Sequence, residues 1–255
     1  MYQIDAFASR VFAGNPAGVC LLDDWLPDNI LQSIAEENNL PETAFLVRRE
    51  LYYDLRWFTP TVEIDLCGHA TLASGHVIFE YLGYDSNRIE FMSKSGPLSV
   101  EKRENLLFLD FPALKPEECE PPAGIDDIFG ISPSHVLSSR DLLVVFDDEN
   151  SIRNLTPDLD AIAKLDQFAL IATAPGTNSD FVSRFFAPGA GIPEDPVTGS
   201  AHCTLIPYWS ARLNKKELHA FQLSRRGGEL FCVDRGDRVS IGGKAVTYLS
   251  GTIVI

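Results

Sequence analysis

The chain contains two copies of one motif, and this internal repeat limits its fold more than any other feature. Each copy reads as a strand ending in Phe-x-Pro, an acidic turn and a glycine that starts a helix; the copies are residues 56–60 with 67–71, and 184–188 with 198–202. The arginines (56 and 184) and the prolines (60 and 188) are each 128 residues apart, which is half of the 255-residue chain. The repeat predicts two similar halves, each with a helix N-terminus that attracts anions. Two such helix starts facing each other would bind a carboxylate.

The composition argues against several classes of partner and location. A net charge of −15 argues against nucleic acid and anionic membranes as partners. The five cysteines are scattered without a CxxC pair, so we expect neither a disulfide framework nor a zinc site, and a reducing cytoplasm fits. The N-terminus lacks a basic segment followed by an apolar core, and no apolar run approaches the roughly 20 residues of a membrane span, so we expect no signal peptide and no membrane anchor.

Hydrophobic periodicity predicts a sheet and one long, strongly apolar helix in each half. In the first half we predict strands at 2–7, 19–22, 43–49, 51–58, 89–92, 98–102 and 106–111, with helices that begin at Pro27 and Gly68. In the second half we predict helices at 157–164 and 199–213 and strands at 168–172, 180–186, 221–224, 230–233, 239–241 and 252–255. Pro207 should kink or delay the long helix of this half. The economical packing is an α/β fold in which each sheet wraps around its helix.

A proline-rich, acidic stretch at residues 115–122 is the best candidate for a linker. We therefore predict an N-terminal half at 1–114 and a C-terminal half at 123–245. The last strand, within 246–255, is expected to join the N-terminal half.

Three polar residues stand where proton transfer would need them. Glu42 lies between a helix and a strand beside apolar residues, a setting suited to a general acid or base, although most glutamates at such positions are solvated turn residues. His69 starts a helix, where the positive end of the dipole favours neutral imidazole, and a structural histidine is an equal alternative. Asp195 lies in a proline-stiffened loop, either as a held carboxylate or as a turn residue, with Thr198 as the natural N-cap of the helix that follows.

Cys67 supports a competing hypothesis. A thiol just before a helix start can have a depressed pKa, and two opposed thiols would make a two-base racemase. The mirrored position is occupied by Thr198, and Cys203 lies about one turn into the second helix, so it would have to face back towards the site.

No other motif indicates a different chemistry. The chain has no phosphate loop or dinucleotide fingerprint, so we expect no nucleotide cofactor and no redox reaction that depends on one. Gly199-Ser200-Ala201 does not match the G-x-S-x-G elbow of hydrolases.

Taken together, the motifs resemble the phenazine biosynthesis PhzF-like family, and within it the phenazine biosynthesis-like domain-containing (MAWD-binding) proteins. The matching stretches are residues 5–7 with 12–17, 41–45, 56–60 through 66–74, 194–202 and 226–230. The resemblance implies the diaminopimelate-epimerase-like fold, with two α/β halves, a curved sheet around a central helix in each and the active site between them. It also implies a homodimer.

The resemblance further implies isomerisation of a small carboxylate without cofactor or metal. In the characterised phenazine enzyme, which acts on a dihydro-3-hydroxyanthranilate, a glutamate matching Glu42 moves a proton between two carbons, supported by residues matching His69 and Asp195. The substrate-binding positions predicted for this chain are Gly68, Gly199, Ser200 and Asn15. The phenazine enzyme has no cysteine at the position of Cys67, so the natural substrate stays open.

The sequence is therefore compatible with three functions. One carboxylate that serves two carbons gives a proton-shift isomerase, whereas two opposed bases give a racemase. The third is a scaffold that binds a ligand or a protein without turnover. Because Glu42 has no evident twin in the second half, the sequence favours the isomerase.

Overall fold

Short runs of β-branched, aromatic and other apolar residues, separated by glycine, proline and polar turns, form most of the eighteen strands, and the chain also forms six α-helices of 4 to 14 residues. The computed structural model describes residues 1–255, which divide into an N-terminal unit of residues 1–110 and 242–255 and a C-terminal unit of residues 111–241. No helix is both long enough and apolar enough to cross a bilayer.

The first elements of the chain belong to the N-terminal unit. They are β1 Tyr2–Ala6, β2 Asn15–Leu22, α1 Asp28–Asn38, β3 Glu42–Arg48, β4 Tyr53–Phe58, β5 Glu63–Ile64, α2 Gly68–Tyr81, β6 Arg88–Ser93, β7 Gly96–Arg103 and β8 Leu106–Pro112.

The C-terminal unit follows, and the last strand of the chain returns to the N-terminal unit. These elements are β9 Glu117–Glu118, α3 Ile125–Phe129, β10 His135–Ser138, β11 Leu142–Val145, α4 Glu149–Asn154, α5 Leu159–Ile162, β12 Leu170–Pro175, β13 Phe181–Ala187, a 3-10 turn at Pro188–Ala190, β14 Ile192–Asp195, α6 His202–Leu213, β15 Glu217–Gln222, β16 Gly228–Asp234, β17 Arg238–Gly243 and β18 Ala245–Ser250.

The strand order in the N-terminal unit is β18-β1-β2-β3-β4-β6-β7-β8, with β5 added beside the end of β4. The pairs β2/β3 and β4/β6 are parallel and the others are antiparallel. A helix connects the strands of each parallel pair, α1 in the first and α2 in the second, as a parallel crossover requires. Helix α2 is largely buried and packs on β7 at Gly75, where an added Cβ would lie 2.7 Å from Val100 Cγ1.

The strand order in the C-terminal unit is β9-β10-β11-β12-β13-β15-β16, with β14 beside β13. The pairs β11/β12 and β13/β15 are parallel, and α6 connects the second of them. From β10 to β16 the alternation of antiparallel and parallel pairs is the same as from β1 to β7. The repeat seen in the sequence is therefore a repeat of sheet topology.

Helix α6 runs from His202 to Leu213 with Pro207 inside it, and it begins three residues later than the predicted 199. Proline has no N–H, so the carbonyl of Cys203, four residues earlier, loses its intrahelical donor. The backbone N–H of Leu114 donates to that carbonyl instead, at 2.9 Å. The helix keeps its hydrogen bonding because a neighbouring segment supplies the missing donor.

Several element boundaries also differ from the sequence predictions. The last strand is β18 at 245–250, not 252–255, because all five residues of β1 pair with β18. Strands β10 and β11 were not predicted, since a four-residue run such as Leu142–Val145 shows no alternation. The predicted linker, 115–122, lies in the C-terminal unit, where β9 pairs with β10.

Candidate active site

A carboxylate and an imidazole meet at one end of the N-terminal sheet. Glu42 is the first residue of β3, after the left-handed Asn39 (φ 48°) ends α1, and His69 is the second residue of α2. His69 Nε2 lies 2.9 Å from Glu42 Oε2, and the two side chains are only 7% and 13% exposed. Because α2 packs against β2 and β3, its first turn lies where β3 begins.

Asn15 and Cys67 approach the other side of the imidazole. Asn15 Nδ2 lies 3.3 Å from His69 Nδ1, and Cys67 Sγ lies 3.5 Å from the same nitrogen. An amide nitrogen and a thiol both donate, so Nδ1 is placed to accept and Nε2 to carry the proton towards Glu42. Protonated imidazole forms an ion pair with the Glu42 carboxylate across the 2.9 Å separation of Nε2 and Oε2.

Burial and the neighbouring charged groups shift the pKa of His69 in opposite directions. Burial lowers the pKa of His69, but the negative forms of Cys67 and Glu42 raise it more, and the pKa lies well above its ordinary value. The raised pKa runs against the expectation that the helix start favours neutral imidazole, and its causes are the interactions with Cys67 and Glu42.

The thiols do not suit a two-base racemase. Burial, and then the charge of Glu42, raise the pKa of Cys67. Burial raises the pKa of Cys203 to about 12. The depressed pKa expected for a thiol before a helix start is not found, since desolvation disfavours the thiolate more than the helix end favours it.

In the C-terminal unit a buried glutamine fixes the loop that carries Asp195. Gln222 Nε2 donates to the Asp195 carbonyl at 2.9 Å and to Thr198 Oγ1 at 3.1 Å, and Gln222 Oε1 accepts from the Thr198 N–H at 2.8 Å. Thr198 Oγ1 in turn donates to Asp195 Oδ2. Three hydrogen bonds from Gln222 therefore tie this loop to β15, and the sequence analysis did not identify that residue.

Thr198 is not the N-cap of α6, and the helix does not begin at Gly199. The Thr198 hydroxyl is engaged with Asp195, and the helix begins at His202 after Ala201. The preceding residues form a tight turn, in which His202 N–H donates to the Gly199 carbonyl at 3.0 Å. Both expectations are corrected because this first turn uses i to i−3 hydrogen bonds.

Ser200 lies beside an arginine that the sequence analysis also missed. Arg140 Nη2 donates to Ser200 Oγ at 3.3 Å. The same guanidinium donates to Asp141 at 3.0 and 2.7 Å, and the Phe168 ring lies 5.5 Å from its centre. Asp141 is fully buried, so it anchors a guanidinium that stays partly exposed. The only signal in the sequence is an Arg-Asp pair before an apolar run, which is too common to identify a site.

The predicted site residues therefore form two clusters, one in each unit. In the N-terminal unit, Asn15 and Glu42 contact the imidazole of His69, and Gly68 precedes His69 at the start of α2. Asp195, Gly199 and Ser200 lie in the loop and turn before α6. None of the seven lines the large surface cavity of about 810 Å³ at the C-terminal end of α6.

Known proteins match the chain over nearly its whole length. Residues 4–251 match the sequence profile of the family described as phenazine biosynthesis-like protein. An uncharacterized isomerase of Pseudomonas aeruginosa is 53% identical, and the match covers 99% of this chain and 97% of that protein. The crystal structure of a PhzF-family phenazine biosynthesis protein of Enterococcus faecalis has a TM-score of 0.98 at 47% identity and covers 100% of this chain and 98% of that one.

A more distant structure bears on the fold alone. A hydroxyproline epimerase from Agrobacterium vitis is 9% identical and has a TM-score of 0.60, covering 97% of this chain and 90% of that one. The epimerase-like fold expected from the sequence is confirmed.

Proposed function

The chain belongs to the phenazine biosynthesis-like (PhzF) family and is an isomerase, and we propose that it moves a proton between two carbons of a small carboxylate. Glu42 carries the proton in this proposal. The observation that supports it best is the 2.9 Å contact between Glu42 Oε2 and His69 Nε2. A carboxylate held at one oxygen has a fixed orientation, and orientation is what a proton carrier between two carbons requires.

The proposed reaction needs no external electron donor or acceptor. Glu42 Oε1 takes a proton from one carbon, and the electron pair of that C–H bond passes into the conjugated system of the substrate. The same carboxylic acid then returns the proton to a second carbon on the same face. His69 Nε2–H keeps Oε2 in place throughout and stabilises the carboxylate whenever it is ionised.

Taken by itself, the C-terminal cluster supplies groups suited to binding an anion such as a carboxylate. The Ser200 hydroxyl and the exposed part of the Arg140 guanidinium are donors for an anion. Asp195 would orient a polar substrate group or relay a proton. Arg140→Gln is expected to raise KM for a carboxylate substrate with little change in kcat, because the interaction is made equally in the ground state and the transition state.

Deuterium exchange tests the role of Glu42. The protein is incubated in heavy water with a panel of unsaturated small carboxylates, and incorporation at carbon is followed by mass spectrometry. Glu42→Gln should lower the exchange rate by roughly 10²- to 10⁴-fold, the usual contribution of a general base. Glu50→Gln makes the same chemical change at an exposed residue and serves as the matched control.

Two outcomes would decide against the proposal. Unchanged exchange in Glu42→Gln would remove Glu42 from the role, and no exchange across a broad panel would favour a binding scaffold. Exchange that persists after dialysis against a chelator would support a reaction without a metal ion. The family resemblance and the free cysteines also lead us to propose a cytoplasmic homodimer, which sedimentation of the purified protein tests for oligomeric state.

A further inference from the structure

Three different metal-ligating side chains converge in the N-terminal unit. One ligand atom from each of Glu42, Cys67 and His69 can be chosen so that all three lie within 4.8 Å of one another. Proton transfer between Glu42 and a substrate gives Cys67 no task, yet its sulfur lies 3.5 Å from the imidazole. We propose that this cluster binds one Zn²⁺ ion and that the bound metal holds the isomerase inactive. The binding is independent of the proposed reaction, whereas the inhibition rests on it.

The donor set fits zinc better than the other abundant divalent cations. Sulfur, imidazole nitrogen and carboxylate oxygen are the three ligand types of protein zinc sites. Magnesium and calcium prefer oxygen ligands throughout, so a thiol and an imidazole disfavour them. Three protein ligands also leave a fourth tetrahedral position for water or for a substrate oxygen.

The three ligand atoms must close around one nitrogen of the imidazole to bind one ion. Zinc bond lengths of about 2.0–2.3 Å place tetrahedral ligands roughly 3.3–3.8 Å apart. Cys67 Sγ and His69 Nδ1 are already 3.5 Å apart, and the widest separation in the cluster is within 4.8 Å. Glu42 Oε2 now lies 2.9 Å from the other ring nitrogen, Nε2, so the Glu42 side chain, which is not fully buried, must rotate towards Nδ1 for one ion to contact all three ligands.

The backbone around the two closest ligands is fixed before any metal binds. Thr71 donates to the Cys67 carbonyl with both its hydroxyl, at 2.5 Å, and its N–H, at 3.1 Å. These bonds hold the segment from Cys67 to His69 at the first turn of α2. Asn15 also contacts Nδ1 of the imidazole, at 3.3 Å, so a metal bound at that nitrogen would replace this contact.

Metal binding would stop proton transfer for a simple chemical reason. Coordination replaces the proton of the Cys67 thiol and one ring proton of the protonated His69, both of which pass to solvent, and it uses a lone pair of the Glu42 carboxylate. A carboxylate bound to zinc is a poor acceptor for a carbon-bound proton. The sequence could not indicate this site, because its ligands come from β3 and the start of α2 and have no CxxC spacing.

Cobalt provides a direct spectroscopic test on the whole protein without substrate. Co²⁺ should give a thiolate charge-transfer band in the near ultraviolet and the visible bands of tetrahedral cobalt, at one ion per chain, and Zn²⁺ should displace it. Cys67→Ala should abolish the charge-transfer band, and both Cys67→Ala and Glu42→Gln should weaken Zn²⁺ binding by at least tenfold, since even outer-shell changes cost that much. Cys119→Ala, at the most accessible of the five thiols, is the matched control and should bind like the wild type.

The outcomes separate the metal site from the proposed reaction. The proposed zinc site is overturned if the charge-transfer band is absent. It is also overturned if Cys119→Ala loses the band and Cys67→Ala keeps it. Circular dichroism verifies that each variant is folded, and Glu42→Gln, which keeps the shape of the side chain, provides a second reading if Cys67→Ala is not folded. Zn²⁺ should also stop deuterium exchange, with recovery on adding chelator; undiminished exchange in zinc-loaded protein overturns the inhibition. A cobalt spectrum in a protein that never exchanges deuterium would contradict the proposed reaction and leave the metal site standing.

Discussion

The two units share a sheet pattern but differ in the chemistry at the start of their long helices. In each unit an arginine near the end of a strand makes two hydrogen bonds to a glutamate and lies about 5 Å from a phenylalanine ring; the sets are Arg56 with Glu63 and Phe58, and Arg184 with Glu194 and Phe186. The shared part of the repeat is therefore structural. The candidate chemistry lies where the repeat fails.

Two buried histidines show the failure most clearly. His69, at the start of α2, faces the carboxylate of Glu42, and its pKa lies well above the ordinary value. His202, at the start of α6, is also buried, but its Nδ1 faces the Thr198 carbonyl and burial lowers its pKa to about 4. Equal burial gives opposite protonation, because only one of the two imidazoles faces a carboxylate.

The largest predicted effect comes from replacing each histidine by asparagine. The asparagine amide can imitate Nδ1 but cannot reach the position of Nε2, so His69→Asn loses the contact with Glu42. We expect His69→Asn to lower the deuterium exchange rate by roughly 10²- to 10³-fold, the usual cost of one preorganised donor. His202→Asn keeps a donor for the Thr198 carbonyl and should retain exchange close to that of the wild type. Equal losses in the two folded variants would mean that the asymmetry between the units is not catalytic.

His69 and His202 should make opposite contributions to the pH dependence of stability. The folded pKa of His202, about 4, lies below the roughly 6.5 of an unfolded histidine, so the unfolded state binds the proton first and stability falls as pH drops from about 6.5 to 4. The folded pKa of His69 is raised, so its stabilisation is fully present below about 6.5 and is lost as pH rises through the folded pKa.

Urea unfolding of wild type and variants between pH 8 and pH 4 measures this difference. His202→Asn should remove an acid destabilisation on the order of 3 kcal/mol between pH 6.5 and 4. His69→Asn should instead lose stability relative to wild type most strongly at the acid end. A shift of the same sign in both variants would contradict the assignment of opposite charge states.

The sequence was enough to predict the repeat, the family and the long helices, because these depend on local motifs and periodicity. PhzF-family membership is confirmed by a match across residues 4–251. Strands β10 and β11 were missed because their short apolar runs carry no period. The start of α6 was misplaced because Thr198, a good N-cap by type, uses its hydroxyl on Asp195 instead.

The site was harder to predict than the fold. Glu42 and His69 were each proposed from their local setting, but their contact depends on how α2 packs against the sheet. Gln222 and Arg140 carried no local signal, since each acts on a loop at least 24 residues away in sequence. The charge of His69 was misjudged for the same reason, because the helix start is visible in the sequence and the facing carboxylate is not.

The smallest predicted effect is a difference in stability between variants of the two matching arginines, Arg56 and Arg184. Arg184 is 12% exposed and also donates to the carbonyls of Leu155 at 2.7 Å and Ile152 at 3.3 Å, whereas the further partner of Arg56 is Asp28, which is 79% exposed. Removing Arg184 therefore leaves more polar groups unpaired, and exposed ion pairs contribute little. We expect Arg184→Ala to lower the free energy of unfolding by about 2–3 kcal/mol and Arg56→Ala by about 1–2 kcal/mol.

Urea unfolding at neutral pH checks this order, with Arg88→Ala as the control. The ion pair of Arg88 with Glu90 is about half exposed on both sides, so its loss should change stability by less than about 0.5 kcal/mol. If Arg56→Ala proves as costly as Arg184→Ala, the carbonyl contacts of Arg184 add nothing and the two arginines are equivalent. The repeat would then be symmetric at its structural positions, and the difference between the units would be confined to the two helix starts.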